Sequence, residues 1–237
     1  MNTCTHRPPI EPVPLVIMGG GGHAAVVADS VDRRWWQPMG YLADQASEHA
    51  PMASAESGPK PIPWLGTPLD LGRMLGTRLP ASTMVHAAVG DGRLRRGWLE
   101  TVPEDRWATV VSPSATVSAS AVIEAGAFIG PHAVVNARAV VGRGTIVNSG
   151  AIVEHDCHVG AFVHLAPRVA LGGAVHVGAD TLIGIGAAVL PGVRLGRNAV
   201  LGAGAVAIDD LADGQTARGV PARAFSRDNA SSMGGGI

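Results

Sequence analysis

Cysteine is scarce in this chain. Two occur in 237 residues, Cys4 and Cys157, too few for a disulfide framework, so a reducing, cytoplasmic setting is expected. Neither sign of charge is in excess: 18 basic and 19 acidic residues leave a net charge of -1, which argues against an electrostatic nucleic-acid binder. Long apolar runs are missing as well. No stretch of 18 apolar residues free of Gly, Pro and charge occurs, so no membrane insertion is expected. The first fourteen residues, with Pro8, Pro9, Pro12 and Pro14, have the pattern of neither a signal peptide nor an anchor. Aromatic residues make up only 4%, and all five tryptophans precede residue 108. Beyond that point the composition is Val, Ala and Gly, and 46% hydrophobic content over this length suffices for two folded units.

What is present is a repeat with a period of six. From Val111, every sixth residue is aliphatic: Val117, Ile123, Ile129, Val135, and so on through Leu195 to Leu201, sixteen in all. Four positions after each comes a small or β-branched residue such as Ala121, Thr145, Cys157 or Ala199. A helix needs a 3.6 spacing and an amphipathic strand needs alternation, so neither explains a strict six. Short strands separated by turns do, with the two series pointing inward to a narrow core. Three hexads make one coil of a parallel β-solenoid, each coil about 4.8 Å above the last. Sixteen hexads give a little over five coils. Gly often follows the aliphatic, as at Gly130, Gly142 and Gly160, and is expected to supply the positive φ of each corner.

The N-terminal part reads as α/β and Rossmann-like. Leu15–Met18 is a buried strand, Gly19–Gly22 a turn, and Ala24–Val31 a helix. Such a unit holds phosphate at the helix N-terminus, or is simply a permissive connection. A second strand at Met39–Ala43 ends at Asp44, either a ribose ligand or a solvated loop acid. A third, Met84–Val89, precedes a helix whose Arg93, Arg95 and Arg96 meet a phosphate or solvent. The domains implied are a flexible tail at 1–13, a Rossmann-like domain at 14–108, a β-helix at 109–225 and a disordered tail at 226–237.

Four histidines cluster at positions 155, 158, 164 and 176. His158, His164 and His176 occupy the outward strand phase among apolar residues such as Val122, Phe128, Ile146, Ile152 and Leu182. Oily outer walls call for packing against further copies, with threefold symmetry suited to a triangular rod. His155 is at a corner, and Gly173 stands eighteen residues later at the same phase. An imidazole beside an unshielded amide suits acyl transfer, with Asp156 or Glu154 fixing the tautomer. Interface polar groups satisfied by hydrogen bonds are the plainer reading.

A set of motifs narrows these alternatives. Gly21-Gly22-His23-Ala24, Gly40-Tyr41-Leu42, Val89-Gly90-Asp91, Asn148-Ser149-Gly150-Ala151, Glu154-His155-Asp156-Cys157, Val163-His164-Leu165-Ala166-Pro167, Leu171-Gly172-Gly173 and Gly219-Val220-Pro221-Ala222-Arg223 occur in that order. Together they resemble the bacterial sugar O-acyltransferases of the sialic acid O-acetyltransferase family. That family includes the nucleotide-linked amino-sugar N-acetyltransferases of the bacillosamine and perosamine pathways. The resemblance implies a left-handed parallel β-helix, a cytoplasmic homotrimer, acetyl-CoA as co-substrate, no metal, and a nucleotide-sugar substrate for surface glycan synthesis. It implies His155 as base with Asp156 as its partner, and His164, Gly173, Ile185, Ala203 and Pro221 on acetyl-CoA. Gly21, Gly22, His23, Asp44 and Asn148 would hold the nucleotide-sugar. Relatives often carry an acidic pair at the second strand; here Ala43 replaces the first member. O-acetylation of a sialic-acid-like sugar would use the same residues. A trimeric zinc hydratase and a non-catalytic scaffold are the readings from other classes.

Overall fold

A computed structural model describes residues 11–47, 52–53 and 60–225. The expected tails at 1–13 and 226–237 lie outside the described residues except for 11–13, and Val13 already begins the first strand. Cys4 also lies outside them.

The N-terminal domain is a four-stranded parallel sheet. Its strands are β1 (Val13–Met18), β2 (Trp36–Leu42), β3 (Trp64–Gly66) and β4 (Met84–Ala87), in the order β3-β2-β1-β4. Leu15, Val16, Ile17 and Met18 are all fully buried, as a central strand covered on both faces requires. Helix α1 (Gly22–Ser30) buries Ala24, Val27 and Ala28, an i, i+3, i+4 stripe. Helix α2 (Leu71–Met74) is a single turn. Helix α3 (Gly92–Leu99) starts at Asp91, whose carboxylate accepts the Leu94 N–H at 2.8 Å, so the cap fixes where the helix begins.

The chain then passes directly into the solenoid. Trp107 bridges Val85 at the sheet edge, and the first rung follows at Val110–Val111. Three parallel sheets form the walls. The first wall runs through Phe128–Ile129, Ile146–Val147, His164–Leu165, Leu182–Ile183 and Val200–Leu201. The second carries Ile152–Val153 and Ala170–Leu171, and the third His158–Val159 and His176–Val177. Partners on neighbouring rungs differ by 18 residues from Val110 to Leu201. The second wall has six strands.

The inward aliphatic and small series line a continuous core from Ala121 to Ala217. Inward hydroxyls are satisfied locally. Thr145 and Thr181 donate to the Gly160 and Gly196 carbonyls at 2.7 and 2.6 Å and accept the Val163 and Ala199 amides. At the top, the repeat extends past Leu201 through Val206–Ala207 and Thr216–Arg218, and Arg223–Phe225 folds back antiparallel on that edge.

Two expectations need correcting. The left-handed corner residue is three positions after the aliphatic, not one. It is glycine at 126, 144, 150, 186, 192 and 204, but His132, Arg138, Asp156, Phe162, Arg168, Ala174, Asp180 and Asn198 take the same conformation. The glycine just after the aliphatic is needed because the next coil crosses it closely. A Cβ at Gly178 would lie 2.5 Å from the Arg197 nitrogen, and one at Gly142 would lie 2.6 Å from the Gly160 carbonyl carbon.

The outward apolar wall is also not left entirely to other copies. Phe128 and Ile146 pack with Leu15, Ile17, Ala24 and Val27 of the chain's own N-terminal domain. Arg95 locks this seam. It is 1% exposed, and its guanidinium donates to five backbone carbonyls: Val89, Gly90, Gly144, Phe162 and Val163. Arg96 pairs with Asp180 at 2.6 Å and lies over the Phe162 ring. Neither belongs to a solvated helix face.

Candidate active site

The corner between the second and third walls carries His155 and Asp156. Asp156 has φ of 61°, a conformation open to Asp because its short side chain tolerates the left-handed region. Its Oδ2 accepts from His155 Nδ1 at 2.8 Å. A carboxylate only accepts, so the ring proton is on Nδ1 and the Nε2 lone pair is left for chemistry. Glu154, the other candidate for fixing the tautomer, instead accepts the His155 backbone N–H at 3.3 Å. Arg138, one coil below, grips Asp156 with both arms, Nε to Oδ1 at 2.7 Å and Nη2 to Oδ2 at 2.9 Å. The Arg138 guanidinium, and then the His155 ring, hold the Asp156 carboxyl well below the usual carboxylate range.

Gly173 sits one coil above, against the ring. A Cβ there would lie 2.7 Å from both Cε1 and Nε2 of His155, so only glycine leaves the imidazole in place. The Gly173 carbonyl accepts from Gly192, whereas its N–H has no hydrogen-bond partner among the described residues. The His155 side chain is 58% exposed. The corner therefore combines an accessible base and an uncommitted amide, the pair that acyl transfer requires. Cys157 beside it is buried and free, and its thiol donates to the Gly172 carbonyl, so it packs inward.

His164 belongs to another place. It lies on the first wall, where Nδ1 meets the Gly90 carbonyl at 3.1 Å and Nε2 meets Asn148 Nδ2 at 3.3 Å. The ring of His23 is 6.4 Å away and packs edge-on against Phe128. His86 is fully buried nearby, its Nδ1 on the Ala108 carbonyl. Burial is the main cause that pushes His23 down to about 3 and His86 and His164 to about 4. All three are neutral imidazoles at neutral pH. His164 and Phe162 also line a cleft of about 560 Å³ with Asp91, Arg93, Thr181 and Asn198.

The remaining expected site residues are distributed as follows. Gly21 and Gly22 stand exposed at the N-terminus of α1 with nothing within 4 Å of a Cβ position. Asp44 is exposed just past β2. Ile185 and Ala203 are exposed and stacked one coil apart, with the Gly204 amide on the Ile185 carbonyl. Pro221 is exposed in the terminal turn. His158 and His176 stack on the third wall, ring centres 6.0 Å apart. The structure thus joins His155, Asp156 and Gly173, and separately His23, Asn148 and His164. Among the described residues no group of three or more His, Cys, Asp or Glu is placed to hold a metal. Arg138 escaped the sequence reading, although counting back eighteen from Asp156 reaches it.

Comparison with known proteins points one way. The family model for the PglD N-terminal domain matches residues 14–102, and that for the bacterial transferase hexapeptide (six repeats) matches 174–207. No curated protein sequence matches. A histidine-to-alanine mutant of GDP-perosamine N-acetyl transferase from Caulobacter crescentus, solved with CoA and GDP-perosamine, is 33% identical. It covers 92% of this chain and 98% of its own, with a TM-score of 0.77. The acetyltransferase domain of PglB from Neisseria gonorrhoeae, with acetyl coenzyme A, is 32% identical over 90% of this chain and 100% of its own, also at 0.77. WeeI from Acinetobacter baumannii shares the fold at 20% identity and a TM-score of 0.70, covering 89% of this chain and 99% of its own. With this sequence identity along nearly the whole length, the chain belongs to the family of hexapeptide-repeat acetyltransferases of nucleotide-linked amino sugars.

Proposed function

We propose that this protein transfers an acetyl group from acetyl-CoA to the amino group of a nucleotide-linked amino sugar. One observation carries the reading: the His155 ring lies directly against Gly173, with Nε2 accessible and the Gly173 N–H uncommitted. As the sugar nitrogen bonds to the acetyl carbon, His155 Nε2 takes the proton that nitrogen sheds. The Gly173 N–H donates to the oxygen on which negative charge collects. His155 then returns its proton to the sulfur as the carbon–sulfur bond breaks, leaving amide and free thiol, and the base is regenerated. Asp156 keeps the imidazole oriented and steadies its positive charge in between.

Ile185 and Ala203 form the wall along which the pantetheine arm would lie, and Pro221 sits beyond them in the last turn. Gly21 and Gly22 present backbone N–H groups at a helix N-terminus without a side-chain cap, a fit for the diphosphate of the nucleotide. Asp44, exposed past the second strand, would accept from a ribose hydroxyl. His23 is a different case: its Nε2 is buried and without a hydrogen-bond partner among the described residues, so in this conformation it is closed to a ligand. His164 and Asn148 line the approach between the domains.

A homotrimer fits the remaining surface. Val122, Ile152, Leu182, Ile185 and Leu190 stay exposed, and packing rods side by side covers them and sets the His155 corner against a neighbour's cleft. We place the enzyme in the cytoplasm, the setting favoured by two cysteines and no disulfide framework; no helix among the described residues is long and apolar enough to cross a membrane. The test is thiol release from acetyl-CoA across UDP-, GDP- and CMP-linked amino sugars, with product mass and solution mass measured in parallel. Acetylation of at least one amino sugar is expected; no turnover with any of them, or full activity as a monomer, would overturn the corresponding part.

A further inference from the structure

Residues 120, 138 and 156 occupy one phase of three successive coils, and they are linked side chain to backbone or to side chain. Ser120 Oγ accepts the Arg138 backbone N–H at 3.1 Å. The Arg138 guanidinium spans both oxygens of Asp156. Asp156 Oδ2 in turn accepts the hydrogen bond that His155 Nδ1–H donates. The column ends at the ring that touches Gly173. The charged groups facing that ring are Asp156 and, through it, Arg138, while Glu154 faces the His155 backbone.

Stability is a poor reason for this arrangement. The side chains of Arg138 and Asp156 are 65% and 39% exposed, and ion pairs so open to water contribute little to stability. Orientation is a better one. A carboxylate free to rotate can offer either oxygen to the ring or swing into solvent. With a planar fork holding both oxygens, one remaining lone pair of Oδ2 has a single direction, toward Nδ1. The guanidinium also offsets part of the carboxylate's attraction for a protonated ring, which favours handing the proton on to the departing sulfur.

We propose that Arg138 is a positioning residue for the transfer reaction, acting through the Asp156 carboxylate to hold His155 with Nε2 as its basic nitrogen. This rests on the reading of His155 as the base. Arg138 touches neither substrate in this scheme, so its effect belongs in kcat rather than in either KM.

The experiment is a kinetic cycle of Arg138→Met, Asp156→Asn and the double variant, with Arg138→Lys and His155→Ala alongside. Arg138→Met is expected to lower kcat by about 10–100-fold, by analogy with loss of the outer partners that orient metal-bound histidines, with both KM values within twofold. Arg138→Lys, which restores charge but not the fork, should recover part of that loss. In the Asp156→Asn background the same arginine change should alter kcat by less than twofold, because its route to the ring is already cut. Circular dichroism and the melting temperature should match the parent. The proposal is overturned if Arg138→Met leaves kcat within twofold, if the loss persists undiminished in the Asp156→Asn background, or if it appears in KM instead. His155→Ala separates the two layers. An inactive His155→Ala with a silent Arg138→Met removes only the arginine's role, whereas an active His155→Ala removes the base assignment itself.

Discussion

The corner around His155 and the seam around His23, His86 and His164 use the same side chain under opposite conditions. At the corner the ring is exposed, faces a carboxylate through Nδ1 and keeps Nε2 unshared. At the seam the rings are buried among Phe128 and one another, and the nearby charge is the cation of Arg95 rather than an anion. The Nε2 atoms of His23 and His86 have no hydrogen-bond partner among the described residues. A histidine beside a carboxylate and water exchanges protons; one enclosed next to a cation stays neutral and serves as shaped polar packing. Position in the fold therefore separates the proposed base from the packing rings.

The largest effect that tests this contrast is on turnover. His155→Ala should lower kcat by about 10²–10⁴ with little change in melting temperature, and activity near the parent level would erase the distinction. Arg95→Met comes next. It strips up to five carbonyls of their donor at the seam, with an expected loss of about 2–4 kcal/mol in denaturant unfolding; a change under 0.5 kcal/mol would mean that water replaces the guanidinium freely. A pair of glycine variants sharpens the comparison further. Gly178→Ala puts a methyl group into the next coil's backbone and should cost about 1–3 kcal/mol of stability. Gly173→Ala meets the His155 side chain first rather than backbone and should fold normally while losing roughly tenfold in kcat, about 1.4 kcal/mol on the barrier. Equal melting shifts for both would show that position 173 is merely structural.

The last test is in pH. The seam histidines titrate at about 3 to 4 when folded, below the ordinary value near 6.5 in the unfolded chain. Between these limits the unfolded chain binds more protons. Stability is thus complete above about pH 6.5 and falls on acidification toward pH 4, by about 1.4 kcal/mol per pH unit for each ring fully within the window. Urea unfolding at pH 7, 6 and 5 measures it, and a flat profile would show that the rings are not sealed.

Much of this was legible in sequence. The aliphatic sixth residues from Ile123 to Leu201 are all buried, because a strict period leaves one inward phase. Adding eighteen to His155 reached Gly173 for the same reason. Counting back from Asp156 to Arg138 needed no further information, only attention to the coil below. The corner conformations were not legible. Phe162 and Arg168 take a left-handed φ that composition assigns to glycine, while the glycines after the aliphatic answer to the backbone of the next coil, a neighbour distant in sequence. Arg95 looked like a solvated helix residue, and only the approach of the first wall encloses it. The outward phase of Phe128 was readable, but not that residues of β1 and α1 cover it.

The uniform eighteen-residue register has one more consequence. Separation between the glycine loop near Gly21 and the His155 corner is quantised, since only whole coils can be inserted or deleted without rotating the corner to another side. Each such edit shifts the corner by about 4.8 Å along the rod, comparable to the width of a sugar ring. The solenoid is in this sense a graduated gauge, and lengthening it by one division would select acceptors longer by one division.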